Sequence, residues 1–285
     1  MSDRTFLSSA KSAGVAGLLA SAKSAGLTGF GELVQGAFNW RVAHLLGIQQ
    51  LRHRFARSRL GQTWLTLSTA LTIAAMGGVW SLLWKQPLRE LLPFVGVGII
   101  MWSFITQVLT ECTLIFITHG HFYRNQKMNF SVSVYSVIYN NTLVLAYNLI
   151  IVVVLIIAFG VPINWYQLQI VPAFVLTWIT MAWSGYIIAM ACVRYRDIIQ
   201  LITSWLQVLF WVTPVMWKPD FIPAQYHFII DYNPFAQFLN LLRNPFLGEP
   251  VSSHTWLSTS AITFGGGILA LLLIGRYQRR IIFWI

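Results

Sequence analysis

Long apolar stretches separated by short polar segments dominate the chain after residue 60. Six of them are long enough to form a helix of about 20 residues, the length that crosses a hydrocarbon layer about 30 Å thick. They lie near residues 63–84, 91–118, 132–158, 170–192, 198–217 and 256–275. None of them alternates apolar and polar residues as the strands of a membrane β-barrel do. The pattern therefore predicts an all-α, polytopic membrane protein with six transmembrane helices.

The first 60 residues carry two different patterns. Residues 1–31 are rich in Ser, Ala, Gly and Lys, repeat the sequence Ser-Ala-Lys-Ser-Ala-Gly, and lack the apolar core of a signal peptide. They are predicted to form a flexible, basic tail. In residues 32–60 apolar side chains recur every three or four positions, which predicts an amphipathic helix. Its basic end suits the headgroup layer of anionic lipid and contains Arg52, Arg54, Arg57 and Arg59.

The segment 218–255, between the fifth and sixth apolar stretches, contains a helix start signal. Asn233 can cap a helix whose first residue is Pro234, and apolar residues then follow at helical spacing. The resulting helix is too short to cross a membrane. Together with a second short helix over 223–230, it would form a re-entrant or interfacial hairpin. A plain external loop is the alternative.

Composition and charge narrow the class of protein. Of 285 residues, 56% are hydrophobic and only 9% are charged, which excludes an ordinary soluble globule. The net charge of +11 does not indicate nucleic acid, because the basic residues are distributed between apolar stretches. Fifteen of the 19 Lys and Arg residues lie on one side of the predicted membrane. The positive-inside rule then places both termini in the cytoplasm.

Few residues suggest a catalytic, cofactor-binding or metal-binding site. The sequence contains no GxxxxGK[ST], HExxH or GxSxG motif, so no catalytic, cofactor or metal site is predicted. His119 and His121 form either a polar turn or a weak metal or acid–base pair. Cys112 and Cys192 lie in apolar stretches and are interpreted as small core residues. Glu111, an acid inside a predicted span, has either a functional or a structural hydrogen-bonding role.

Several short motifs resemble one family in their order and spacing. They are Arg57-Ser-Arg-Leu-Gly61 with Trp64 after the amphipathic helix, Arg194-Tyr-Arg-Asp197, Thr213-Pro214 and Asp231-Tyr-Asn-Pro234. Together they resemble the permease subunit of type-2 ABC exporters for polysaccharides, which move O-antigens of lipopolysaccharide, capsule polymers and teichoic acids. The resemblance covers residues 32–285. The chain departs from the family after Trp64, where a proline that the family often has is absent.

The resemblance implies an assembly and a function. It implies a homodimer in the bacterial inner membrane, with two copies of a separate nucleotide-binding subunit that binds ATP and Mg²⁺. The assembly would export a lipid-linked polysaccharide. This chain would have neither a catalytic site nor a cofactor. The amphipathic helix would be the interface helix, and 218–248 would close the exit. The segment that would couple to the ATPase contains His119, Gly120, His121, Phe122, Tyr123, Arg124 and Asn125.

Aromatic residues near the predicted outer ends suggest a route for sugars, because the C–H faces of sugar rings pack on aromatic rings. The predicted path contains Trp80, Trp84, Trp211, Trp217, Tyr232 and Phe235. An interfacial aromatic belt against lipid is the alternative interpretation.

Three other functions remain as alternatives. A polytopic membrane enzyme, such as an acyl or glycosyl transferase, would need acids, His or Arg grouped at one membrane face, and the eight acids are scattered. An ion-coupled carrier usually shows internal repeats and buried charges. An ABC exporter of a drug or another small molecule would share the fold and differ in cargo.

Overall fold

The computed structural model describes residues 24–55, 63–125 and 128–285, and these form eleven α-helices. The helices are α1 (residues 24–38), α2 (Trp40–Phe55), α3 (Thr63–Trp84), α4 (Leu88–Thr118), α5 (Gly120–Asn125), α6 (Phe130–Phe159), α7 (Ile170–Arg194), α8 (Asp197–Val212), α9 (Phe228–Asp231), α10 (Pro234–Phe246) and α11 (Ser253–Trp284). Short 3₁₀ turns at Trp165–Gln169, Pro219–Phe221 and Ala224–Tyr226 join some of them. The prediction of an all-α protein is confirmed.

In the described part of the chain, five helices are long and apolar enough to cross a membrane, which confirms a polytopic membrane protein. They are α3, α4, α6, α7 with its preceding turn, and α11. The fifth predicted stretch, 198–217, forms a shorter helix than expected, because α8 has 16 residues and is therefore about 24 Å long. The helix ends at Val212, and the backbone of the next residue, Thr213, is extended (φ −86°, ψ 137°). Proline disfavours helical geometry in the residue before it, so Pro214 explains this end.

Helix α4 is the centre of the bundle. Nineteen of its 31 residues are buried, against two of the 22 residues of α3. It packs against α3, α6, α7, α8 and α10. The short connections bring the ends of α4, α7 and α11 together with α5, and we call this end of the bundle the α5 end. The opposite end holds α9 and α10, and we call it the α10 end.

The predicted tail is wrong for residues 24–31, which are helical and belong to α1. Glycines let α1 lie directly on α11. A Cβ atom at Gly29 would be 2.2 Å from the Leu271 carbonyl oxygen, and one at Gly275 would be 1.7 Å from the Ala25 carbonyl oxygen. This close backbone contact explains the helix in spite of the low helix propensity of glycine. Residues 1–23 lie outside the described part of the chain.

The predicted amphipathic helix 32–60 is divided at Asn39 between α1 and α2. Its apolar side chains point away from the bundle, since Phe38, Val42 and Leu45 are exposed, while Ala43 and Gly47 are buried against α6. An outward apolar face is suited to lipid. Arg52 is exposed. The side chain of Arg54 and all of Arg57 and Arg59 lie outside the described residues.

The predicted start of α10 is confirmed. The Asn233 side chain accepts hydrogen bonds from the backbone N–H groups of Phe235 (2.9 Å) and Ala236 (3.4 Å), and Pro234 is the first helical residue. The second predicted helix, 223–230, is instead a 3₁₀ turn followed by the four residues of α9. Helix α10 buries Phe238, Leu239 and Leu242 in the bundle. The segment is therefore a packed hairpin and not a bare loop.

Candidate functional site

A groove of about 400 Å³ lies between α4 and α8. Helix α8 covers this region only loosely, since Leu206 is its one buried residue. The lining of the groove combines hydroxyl, amide and aromatic groups. It consists of Trp102, Thr106 and Thr110 from α4 and Thr203, Leu206, Gln207, Phe210 and Trp211 from α8.

The polar groups of this groove can accept as well as donate hydrogen bonds. Thr106 donates its hydroxyl hydrogen to the Trp102 carbonyl (2.9 Å), and Thr203 donates to the Gln200 carbonyl (2.9 Å). Their oxygen lone pairs remain for a ligand. The exposed Gln207 amide adds both donors and an acceptor. Aromatic faces beside such groups suit a molecule with hydroxyl edges and C–H faces.

A series of aromatic rings leads from the groove to the α10 end. The centroid of Trp211 is 5.4 Å from that of Phe210, Phe210 is 6.0 Å from Trp102, and Trp102 is 5.9 Å from Phe235 of α10. These separations are typical of interacting aromatic pairs. Two predicted path residues, Trp211 and Phe235, are thus joined through two rings that the sequence did not single out.

The other predicted path residues divide into two groups. Trp217 donates from Nε1 to the Trp211 carbonyl at 3.2 Å, so it lies beside the groove, and Tyr232 is exposed beyond it. Trp80 and Trp84 do not line the groove. They stack on each other along α3 at 4.3 Å, and Trp84 contacts Phe221 at 4.9 Å.

The hairpin is fastened to the end of α8 by polar contacts. Asn233 Nδ2 donates to Thr213 Oγ1 (3.0 Å), and Arg243 Nη1 donates to the Pro214 carbonyl (2.7 Å). Arg243 is 2% exposed, its Nη2 donates to Asn240 Oδ1 (2.6 Å), and its guanidinium carbon lies 3.8 Å from the centroid of Phe94. Its Nε has no partner in the described part of the chain. A buried cation held by neutral acceptors therefore positions the hairpin.

At the α5 end, the residues of the predicted coupling segment differ in exposure. His121 is exposed and Phe122 is half-buried, whereas Tyr123 is 7% exposed and packs on Phe116 and Phe130. Gly120 lies so close to Ile285 that a Cβ atom would be 2.5 Å from its Cγ2. The backbones of Arg124 and Asn125 belong to α5, and their side chains lie outside the described residues.

Buried His119 forms a polar cluster with three helices. Its Nδ1 lies 2.9 Å from Ser133 Oγ on α6, which also accepts from the Tyr123 hydroxyl of α5. Its Nε2 lies 3.4 Å from Gln50 Nε2 on α2, and the same amide donates to Ser136. Because Gln50 Nε2 is a donor, His119 Nε2 must accept and the ring proton must be on Nδ1. Burial and the nearby His121 lower the pKa of His119 to about 4, consistent with this neutral form.

Two acids have structural partners. Glu32 on α1 accepts from the backbone N–H of Ser131 at 3.3 Å, and burial raises its pKa against the opposing effect of these hydrogen bonds. Glu111 on α4 accepts from Asn141 Nδ2 at 2.8 Å and from Asn140 Nδ2 at 3.5 Å. The hydrogen-bonding interpretation of Glu111 fits these contacts to α6.

Metal chemistry receives no support from the described residues. Within residues 24–55, 63–125 and 128–285, no three His, Cys, Asp or Glu side chains are grouped to hold an ion. His119 is committed to the cluster above. Cys112 and Cys192 are both buried as free thiols, as expected of core residues.

Sequence reasoning missed the groove, although a signal was present. Trp102, Thr106 and Thr110 are four residues apart, which places them on one face of a helix. Thr203, Gln207 and Phe210 follow a similar spacing on α8. Two polar faces within apolar stretches indicate a site shared by two spans. Gln50 and Ser133 had no comparable signal, because their partners are distant in sequence.

Comparison with known proteins identifies two similarities. Residues 43–247 match the family described as ABC-2 type transporter. The chain is also similar to the O-antigen export system permease protein RfbA of Klebsiella pneumoniae. The two are 20% identical over 232 residues, which cover 81% of this chain and 88% of that protein.

Proposed function

Because the chain belongs to the ABC-2 type transporter family, whose members are transporter membrane domains, we propose that it is the pore subunit of an exporter for a lipid-linked polysaccharide. The observation that carries the choice of cargo is the groove between α4 and α8. Its threonine hydroxyls, Gln207 amide and aromatic rings match the edges and faces of sugar rings. The similarity to an O-antigen export permease supports the same class of cargo.

The proposed assembly contains two copies of this chain. The groove is open on one side, and the adjacent face of α8 exposes Leu201, Trp205 and Val208. A second copy placed against this face would cover the apolar side chains and close the groove into a conduit. Helix α8, extended by the buried residues 213–216, would then be the sixth crossing.

The proposed energy source is a separate ABC nucleotide-binding subunit, present in two copies, which binds ATP and Mg²⁺. Helix α5 is suited to receive it, because it is a short helix at the end of the bundle with His121 exposed and Phe122 half-buried. In the inner membrane of a bacterium the α5 end would face the cytoplasm together with both termini, as the distribution of basic residues favours. The exposed Arg52 and the outward apolar face of α2 would lie at the lipid surface as an interface helix.

Replacing Phe122 by Ala is expected to weaken association with the ATPase about tenfold, because aromatic side chains are frequent anchors of protein interfaces. Membrane insertion should be unchanged. Tyr123→Ala is the contrasting variant, since Tyr123 packs inside this chain and its loss should lower the thermal stability of the isolated subunit. Affinity measured with purified ATPase and unfolding measured without it separate the two effects. Normal binding of the Phe122 variant would contradict docking at α5.

The function is tested in cells from which the gene has been deleted. Polysaccharide should accumulate in the cytoplasm and disappear from the surface, and the parental gene should restore export. The restoration should require a co-purifying subunit with Walker motifs, because this chain contains no P-loop. Unchanged surface polymer, together with greater sensitivity to a small toxic compound, would indicate a small-molecule exporter instead.

A further inference from the structure

The cluster around His119 joins α5 to α2. Ser133 lies at the start of α6 and receives a hydrogen bond from the Tyr123 hydroxyl of α5. The Ser133 hydroxyl oxygen also lies 2.9 Å from His119 Nδ1. His119 Nε2 then faces the Gln50 amide of α2. A continuous polar chain, Tyr123–Ser133–His119–Gln50, therefore runs from α5 to α2.

We infer that His119 is a positioning residue that transmits displacement of α5 to α2, and this inference rests on the proposed function. The two nitrogens of the imidazole ring contact different helices, Nδ1 at Ser133 of α6 and Nε2 at Gln50 of α2. Because His119 directly precedes α5, a displacement of α5 moves the ring and thereby strains its contact with α2. His119, Tyr123 and Ser133 are buried, and a broken hydrogen bond among them would leave an unsatisfied polar group. The two helices are therefore expected to move together when the ATPase binds at α5.

Helix α2 is suited to receive such a displacement. Part of its contact with α6 is made by a small residue, since a Cβ atom at Gly47 would be 2.9 Å from Tyr139 Cδ1. His44 of α2 also packs edge-on against the Tyr139 ring, with centroids 4.8 Å apart. The opposite face of α2 exposes Leu45 and points away from the bundle, so no other helix in the described part of this chain restrains α2 on that side. The Gln50 contact would then be the point at which a displacement of the His119 ring acts on α2.

Two substitutions separate the contacts of the ring. His119→Asn places an amide near the position of Nδ1, so it keeps a donor for Ser133 and loses the contact with Gln50. His119→Gln extends further and places an amide oxygen within reach of the Gln50 donor. Gln50→Leu removes the contact from the opposite side. His254→Ala is the matched control, because His254 is an exposed histidine at the start of α11, at the α10 end and away from the cluster.

The first readout is amide hydrogen exchange in the reconstituted complex with the ATPase, with and without a non-hydrolysable ATP analogue. In the parental complex the nucleotide should change exchange in both α5 and α2. In His119→Asn and Gln50→Leu the change in α5 should persist and the change in α2 should disappear. A change in α2 that persists in both variants would overturn the inference. No change in α5 of the parental complex would overturn docking at α5, and the relay with it.

The second readout is the amount of polymer exported per ATP hydrolysed. The ratio should fall about fivefold or more in His119→Asn and Gln50→Leu, which is the size of a typical coupling between sites. It should recover in part in His119→Gln and stay unchanged in His254→Ala. The double variant of His119→Asn and Gln50→Leu should be no worse than either single variant. Additive losses would mean that the two residues act separately, contrary to the inference.

Discussion

Filling the groove between α4 and α8 is expected to abolish polysaccharide export. In the double variant Thr106→Trp and Thr203→Trp, two indole rings would replace the small side chains that line it from both helices. A polymer can pass only through a continuous conduit, so the loss should reach the level of cells that lack the gene. Surface polymer and cytoplasmic polymer, measured together, give the result.

Thr72→Trp is the matched control for this prediction. Thr72 is exposed on α3, and its hydroxyl donates to the Ser68 carbonyl at 2.9 Å, as Thr106 does to Trp102. The control should export normally, because its indole ring would lie outside the groove. Binding of the ATPase should be retained in all three proteins. Parental export by the filled variant would place the path of the cargo elsewhere.

Replacing Arg243 by Met is expected to release the hairpin from the end of α8 and to stop export. The substitution removes two hydrogen bonds from a charged donor, each worth about 1.5–3 kcal/mol in typical proteins. It also removes the free-energy cost of burying a charged guanidinium group. The net loss of folding free energy should therefore be smaller than the sum for the two hydrogen bonds. Release of the hairpin can be followed at Met216, which is 7% exposed beside Pro214.

The measurement uses Met216→Cys and a maleimide that cannot cross membranes. The native thiols of Cys112 and Cys192 are buried, so the background should be low. Labelling should be slow when Arg243 is present and at least about tenfold faster with Met at that position. A tenfold change corresponds to the loss of about 1.4 kcal/mol from the free energy that keeps the hairpin docked on the end of α8. Arg243→Lys can reach the Pro214 carbonyl but not Asn240 as well, and should give an intermediate rate. Equal labelling rates in all variants would contradict the role of Arg243.

The long helices could be predicted from the sequence because their apolar stretches are continuous. The predicted stretch 63–84 coincides with α3, and 132–158 differs from α6 by two residues at the start and one at the end. The start of α10 was predictable for a different reason, since an Asn-Pro cap is a local signal. Both kinds of evidence lie within a few turns of the chain.

Predictions failed where distant contacts decide the structure. Residues 24–31 look like part of a flexible tail by composition, yet glycine packing against α11 orders them as a helix. Tyr123 looks like a docking anchor beside Phe122, yet Phe116 and Phe130 enclose it. The groove was not predicted because the aromatic residues near the membrane surface form the more conspicuous pattern in the sequence. The threonines deeper in α4 and α8 are isolated polar residues within apolar stretches. None of these contacts is visible in a single segment of the chain.

The contact between α1 and α11 also constrains how the protein is made. A ribosome synthesises α1 before α11, so the Gly29 surface has no partner until α11 has entered the membrane. Docking of α1 on α11 can therefore be completed only after α11 has been synthesised. A chain that stops before residue 253 would leave the glycine face of α1 uncovered, with α1 held by its contacts to α6 such as Glu32 with Ser131, and cellular proteases could recognise the exposed face. The glycine contact thus distinguishes a chain that contains α11 from one that lacks it, before any partner has been recruited.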